Sequence, residues 1–139
     1  MKNEEFRMKN LLRLEELAQF AVCLFALITF HPSWWCYLLL AIGPDIGMLG
    51  YLVNSKVGAI TYNLLHHKGL AILVLALGAL TSYLRMITDS PETAEQAALV
   101  VGIMLYGHAS MDRIFGYGLK FGDSFQHTHL GWIGKSKEL

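Results

Sequence analysis

The chain alternates between long apolar runs and short polar breaks, and the runs set its predicted architecture. Four of them stand out: Leu17 to Phe30, Trp34 to Val53, Leu70 to Leu84 and Ala97 to Tyr117. A helix needs about 20 residues to cross the hydrocarbon core of a bilayer. The second and fourth runs reach that length alone, and the first and third reach it with flanks from near Leu11 and Leu64. The pattern predicts an all-α fold, a four-helix transmembrane bundle in one integral membrane domain. The spans fall at 11–30, 34–54, 64–84 and 95–118, with a tail at 119–139. Ahead of the first run, Met1 to Glu16 is charged, yet Leu11, Leu12, Leu14 and Leu17 give it an apolar side. That pattern predicts a short N-terminal interfacial amphipathic helix. A soluble bundle of very apolar helices is the competing architecture.

Turn chemistry agrees with these limits. His31-Pro32 ends the first helix, because the residue before proline avoids the α region. Ser90 suits an N-cap, Pro91 the first helical position, and Glu92 and Glu95 the positive end of the last helix. Gly43-Pro44, inside the second run, loosens that helix and frees backbone carbonyls. Such irregular backbone is tolerated at membrane depth where it lines a cavity.

Charge orients the bundle. Lys2, Arg7, Lys9 and Arg13 precede the first span, Lys56 and Lys68 flank the second connection, and Lys120, Lys135 and Lys137 follow the last span. The His31-Pro32-Ser33 turn carries no Lys or Arg, and the loop around Asp89 and Glu92 is acidic, with Arg85 at its start. The positive-inside rule then puts both termini and the middle loop in the cytoplasm, with Trp34 and Trp35 at the outer interface. Composition supports a membrane setting: 54% of residues are hydrophobic and 16% charged, against roughly 25% charged in ordinary domains. The formal net charge is zero, which argues against a nucleic-acid partner. No signal-peptide pattern fits the first run. Cys23 and Cys36 lie in or beside apolar runs and read as small buried hydrophobes.

Ionisable residues inside those runs carry the candidate chemistry. A carboxylate at membrane depth costs about 2.5–3.5 kcal/mol on insertion scales, so a chain that keeps several such groups uses them. Asp45 lies near the middle of the second span. His108 and Asp112 are i,i+4 on the fourth, one helical face, with Arg113 beside them. Asn63, His66 and His67 cluster at the head of the third, and Glu15 and Glu16 at the head of the first. In the predicted topology all meet in the cytoplasmic half of the bundle. Imidazole and carboxylate at i,i+4 present two ligands to zinc, manganese or iron, and helical bundles build such centres. Blander readings stand beside this one. His108 and Asp112 can form an intrahelical pair with Arg113 as counter-ion. Asp45 can be a protonated packing residue. His67, Glu15 and Glu16 can be interfacial charges.

Several motifs resemble one family: Arg13-Leu14-Glu15; Gly43-Pro44-Asp45 with Met48-Leu49-Gly50-Tyr51-Leu52; Gly58 to His66; His108 to Arg113 with Gly116 to Lys120; and Thr128-His129-Leu130-Gly131. The family comprises small bacterial four-helix integral membrane proteins of no assigned function. The resemblance implies multi-pass placement in the bacterial inner membrane. It also marks Glu15, Asp45, Asn63, His66, His108, Asp112, Arg113 and His129 as motif positions, and ranks His67 below His66. A weaker likeness is to membrane-bound metal-dependent hydrolases, in the order Pro44-Asp45, His66, then His108 and Asp112 before Gly116. The chain departs from that pattern, with Gly47 where a second Asp would stand.

The expectation is therefore a metal-dependent membrane enzyme, a hydrolase of a lipid or amphiphilic ester or phosphoester. Asp45, His66, His108, Asp112 and His129 are the expected ligands of a divalent zinc, manganese or iron ion. Glu15 is the expected general base, and Arg113 the group that holds a phosphate or oxyanion. The bilayer and a lipid-like substrate are the expected partners, with a homo-oligomer as an option. Two alternatives stay open: a small proton-coupled transporter or channel subunit, and a structural or partner-binding membrane protein.

Overall fold

The computed structural model describes residues 2–88 and 95–134. The expected cap at Ser90-Pro91-Glu92 and the tail residues Lys135 and Lys137 lie outside them. Helix α1 runs Lys2–Thr29 without a break, because no Gly or Pro interrupts that stretch. The expected interfacial helix and the first span are thus one rod, ~42 Å long at 1.5 Å per residue. Just past its end, His31 adopts a left-handed φ of 47° before Pro32.

The second apolar run does not form one straight helix. Helix α2 covers Trp35–Ile42, and a 3₁₀ segment follows over Pro44–Leu52, bent from α2 by 46°. A 3₁₀ run this long is uncommon and often marks a functional or strained stretch. Pro44 has no N–H to give the carbonyl four residues back. Gly47 then lets the segment lie directly on the next helix: a β-carbon there would stand 2.7 Å from the Thr61 carbonyl oxygen. Thr61 Oγ1 donates to the Gly47 carbonyl at 2.6 Å, so the irregular backbone is partly satisfied from outside.

Helix α3, Ser55–His66, is capped by Asn54, whose Oδ1 accepts from the Val57 N–H at 2.9 Å. It packs along the 3₁₀ segment. Residues 55–63 were expected to form a connection and instead form most of this helix. His67 is extended, and its Nδ1 accepts the Leu70 N–H at 3.3 Å. It therefore caps α4, Lys68–Thr88, and does not share a helical face with Asn63 and His66.

Helix α5, Glu95–Phe115, is the hub. It packs along α1 and α4 and also touches α2 and α3. Its approach to α4 is close enough that a β-carbon on Gly102 would meet Leu75. Leu27, Cys23, Cys36, Leu40, Val100, Ile103 and Met104 form the core around it, and both cysteines are free and buried, as expected. Gly116, at φ 89°, ends α5, and the Tyr117 N–H donates to the Asp112 carbonyl.

The tail adds a feature that an all-α expectation lacks. Strands β1, His127–Thr128, and β2, Gly131–Trp132, pair antiparallel, and Lys120 bridges to Thr128. The Asn63 side chain takes the Lys120 N–H at 2.7 Å and donates to its carbonyl at 2.8 Å. One side-chain amide thus pins the tail to α3.

The protein is mostly helical. Among the described residues, α4 is the one continuous helix long and apolar enough to cross a membrane, and α2 with the 3₁₀ segment qualifies as a bent pair. The four-span expectation narrows to that, because charged residues at 13–16 and His108, Asp112 and Arg113 lower the hydropathy of α1 and α5. Only 11% of the apolar window of α4 is buried in the protein, leaving Ile72, Leu73, Leu77 and Leu80 exposed.

Candidate metal centre

Asp45, His66, His108 and Asp112 come together from the 3₁₀ segment, α3 and α5. Each offers one ligand atom, and the four atoms lie within 4.8 Å of one another. His108 is fully buried and His66 nearly so. The two carboxylates are only partly covered, Asp45 the more open at 34% side-chain exposure against 14% for Asp112. The centre is therefore buried on its imidazole side and opens past Asp45.

The rings are oriented by backbone. His108 Nδ1 lies 2.9 Å from the Leu40 carbonyl oxygen and His66 Nδ1 lies 2.8 Å from that of Tyr62. A carbonyl only accepts, so each Nδ1 carries the hydrogen and each Nε2 of a neutral ring presents a lone pair. The two Nε2 atoms face each other at 3.0 Å. Asp45 Oδ1 is 3.4 Å from both, and Asp112 Oδ2 is 3.3 Å from that of His66. Asp45 Oδ1 is buried without a hydrogen-bond partner among the described residues. Four potential ligand atoms thus converge on one point.

The spacing fits a small ion. Ligands held about 2.0–2.1 Å from a tetrahedral zinc ion are about 3.3 Å from each other. Four of the observed edges, at 3.0–3.4 Å, lie near that value; Asp112 turns Oδ2 to His66 and Oδ1 to His108, the latter at 3.8 Å, and the set as a whole lies within 4.8 Å. This group could hold a metal ion. An Nδ1–H donated to a carbonyl is the usual support for a ligating imidazole.

Tyr62 buttresses the site. Its ring stacks on His66 with centroids 3.7 Å apart, and its hydroxyl donates to Asp112 Oδ2 at 2.5 Å. Burial, and then the Asp112 carboxylate, push its phenol far above the usual range, so it remains a donor. Lys120 lies behind it, buried, with Nζ 5.0 Å from the Tyr62 ring and 4.0 Å from that of Phe125. That Nζ has no hydrogen-bond acceptor among the described residues. Burial pulls the Lys120 ammonium below its ordinary value, and the Asp112 and Asp45 carboxylates oppose the pull.

Three of the expected site residues stand elsewhere. Glu15 is exposed, and its Oε1 accepts from Gln19 at 3.3 Å. Glu16, one position on, is the inward carboxylate: it binds Lys68 and lies 3.5 Å from Arg113 Nη1. Arg113 is thus engaged with α1, not with the four-residue centre. His129 does not join the ligands, because its Nδ1 accepts the Leu119 N–H at 2.8 Å. Tyr62 and Lys120 were the residues missed. Tyr62 precedes His66 by four positions, and the i,i+4 rule that paired His108 with Asp112 also reaches it.

A family model described as a domain of unknown function (DUF4260) matches residues 9–133. No curated protein and no solved structure matches the chain.

Proposed function

The chain belongs to this family of unknown function, and from that premise we propose that it is a membrane-embedded metalloenzyme that hydrolyses a lipid-like ester or phosphoester. One observation carries the reading: the convergence of two imidazole nitrogens and two carboxylates, with Asp45 Oδ1 otherwise orphaned. Zinc is the first choice, since tetrahedral edges of about 3.3 Å agree with the donor spacing; manganese and iron also accept this donor set.

When bound, a divalent ion lowers the pKa of a coordinated water toward about 7 and polarises a scissile oxygen. The chain's own residues supply the rest. Leu40 and Tyr62 carbonyls fix the rings. Tyr62 steadies Asp112. Asp45, the most open of the four, faces the side from which substrate and water arrive; with Oδ1 turned to the imidazoles, its Oδ2 takes the proton-accepting role expected of Glu15. The membrane setting draws support from the uncovered apolar faces of α4 and α2 and of the 3₁₀ segment, where Leu52 is 84% exposed, beyond what a soluble monomer presents. Contact of the tail with the middle connection also favours a shared side for them: Lys56 lies against Gly122 and Asn63 binds Lys120.

The second reading is proton-coupled transport, and the 3.0 Å contact between His66 and His108 favours it. Without a metal, one shared proton satisfies that contact, and buried Asp and His groups are what membrane proton relays use.

Elemental analysis of tag-free, detergent-purified protein separates these. About one metal per chain, lost in folded His108→Ala and Asp45→Ala variants, supports the metalloenzyme and opens an ester and phosphoester screen. Protein that is metal-free and takes up no added zinc, manganese or iron sinks that reading.

A further inference from the structure

A second polar site lies between α1, the end of α5 and the tail hairpin. There the fold encloses a cavity of about 330 Å³ lined by Lys9, Arg13 and Arg113, with Glu16 and His129. Three full cations thus face one carboxylate. That carboxylate is shared between Lys68 and Arg113, so the lining keeps a net positive charge. Lys9 and Arg13 are i,i+4 on α1 and project to the same side. Arg13 Nη2 reaches Gly116 at the end of α5, 3.7 Å from where a β-carbon there would stand, an ordinary contact distance.

The fifth polar group, His129, is a donor as well. His129 Nδ1 accepts the Leu119 N–H, so the neutral ring carries its hydrogen on Nε2. Leu12 and Leu130 complete the wall, and Leu130 is 37% exposed. Guanidinium forks, an ammonium and an imidazole N–H around an open, apolar-edged cavity suit a phosphate oxyanion on a greasy carrier. Basic pockets between helices at a cytoplasmic membrane surface bind lipid headgroups by the same means.

We infer that this cavity binds a phosphate oxyanion, borne by an anionic amphiphile or free in solution. It is distinct from the Asp45 centre and needs no metal there. Occupied, it would tie α1 to α5 and the tail.

The test uses the full chain in detergent, with thermal unfolding followed against three probes: dioctanoyl phosphatidylglycerol, dioctanoyl phosphatidylcholine and inorganic phosphate. Phosphatidylglycerol is expected to raise the midpoint where phosphatidylcholine does not. Arg13→Gln, at an exposed position, is expected to unfold like the wild type without ligand and to need about tenfold more phosphatidylglycerol, the loss of one charge-assisted contact. Lys56→Gln, outside the cavity, should respond as the wild type does. Equal stabilisation by inorganic phosphate identifies free phosphate as a sufficient ligand, and stabilisation by the lipid alone identifies the headgroup of an amphiphile; both support the site. The inference is overturned if phosphatidylglycerol and phosphatidylcholine act alike, if no probe acts, or if Arg13→Gln responds as the wild type does. Repeating the titration after chelation keeps this outcome separate from any failure of the metal centre.

Discussion

His108 Nδ1 lies 2.9 Å from the carbonyl oxygen of Leu40, 68 residues away in the chain. In an uninterrupted helix that oxygen would accept from the N–H of residue 44. Residue 44 is proline, which has none. The break in the second apolar run and the orientation of the His108 ring are therefore one event: the orphaned carbonyl selects the tautomer that aims Nε2 at Asp45 and His66.

Replacing Pro44 by Ala returns a competing N–H to Leu40. The variant is expected to fold at least as stably as the wild type, yet to bind zinc 10–100-fold more weakly, the usual cost of losing an outer partner of a ligating imidazole. Competition against a zinc chelator measures the affinity, and the imidazole ¹⁵N shifts report the His108 tautomer. Unchanged affinity with an unchanged tautomer would sink the link between the two residues.

Much of the centre was legible because helical spacing is rigid. His108 and Asp112 sit four apart on one helix, so their shared face follows from period alone. Gly43-Pro44 announced irregular backbone beside Asp45, and that is where the 3₁₀ segment begins. What was illegible depends on helix rotation and on distant partners. Glu15 and Glu16 differ by about 100° around α1, and only the placement of Lys68 decides which of them turns inward. His66 and His67 are adjacent, yet α3 ends between them. Lys120 enters the site only because Asn63 pins the tail there, a contact across 57 residues that no periodicity reports.

The two glutamates give a direct comparison. Glu16→Gln removes the charged partner of Lys68, whose side chain is 13% exposed and keeps Gln19 Oε1 as a neutral acceptor at 2.5 Å. A partly buried ion pair that loses one member costs several kcal/mol when fully enclosed, and about 2 kcal/mol is expected here after allowance for solvent. Glu15→Gln, on the exposed face, should stay within about 0.5 kcal/mol of the wild type. Denaturant unfolding in a fixed detergent compares them. Equal effects would mean that α1 is rotated from the position described.

Tyr62→Phe keeps the ring stacked on His66 and removes only the hydroxyl that Asp112 accepts. Hydrogen bonds to charged groups contribute about 1.5–3 kcal/mol, so a loss of that order in stability is expected in metal-free protein. Zinc affinity should fall by about tenfold, as Asp112 loses the contact that orients it. A variant as stable as the wild type would show that the hydroxyl and the carboxylate do not meet in solution.

His129 provides a pH test of the tail. Burial, and then the nearby Arg113 guanidinium, hold its imidazole below the ordinary value of 6.5. The folded state thus prefers the neutral ring, as it must if Nδ1 is to accept the Leu119 N–H. A base with a depressed folded pKa adds stability that is present above its unfolded value and lost as pH falls through the folded one. The tail should therefore stay docked at pH 7 and loosen on acidification below 6.5. Asp123 shifts in the same sense, lowered first by its bond to His127, but acts only below the ordinary carboxylate range. ¹⁵N-histidine spectra should show the neutral form of His129 in the majority at pH 6.5, with its midpoint lower. Hydrogen exchange at the Leu119 amide should accelerate over the same interval. A midpoint at or above 6.5, or a Leu119 amide that exchanges freely at pH 7, would mean that His129 does not hold the tail to the end of α5.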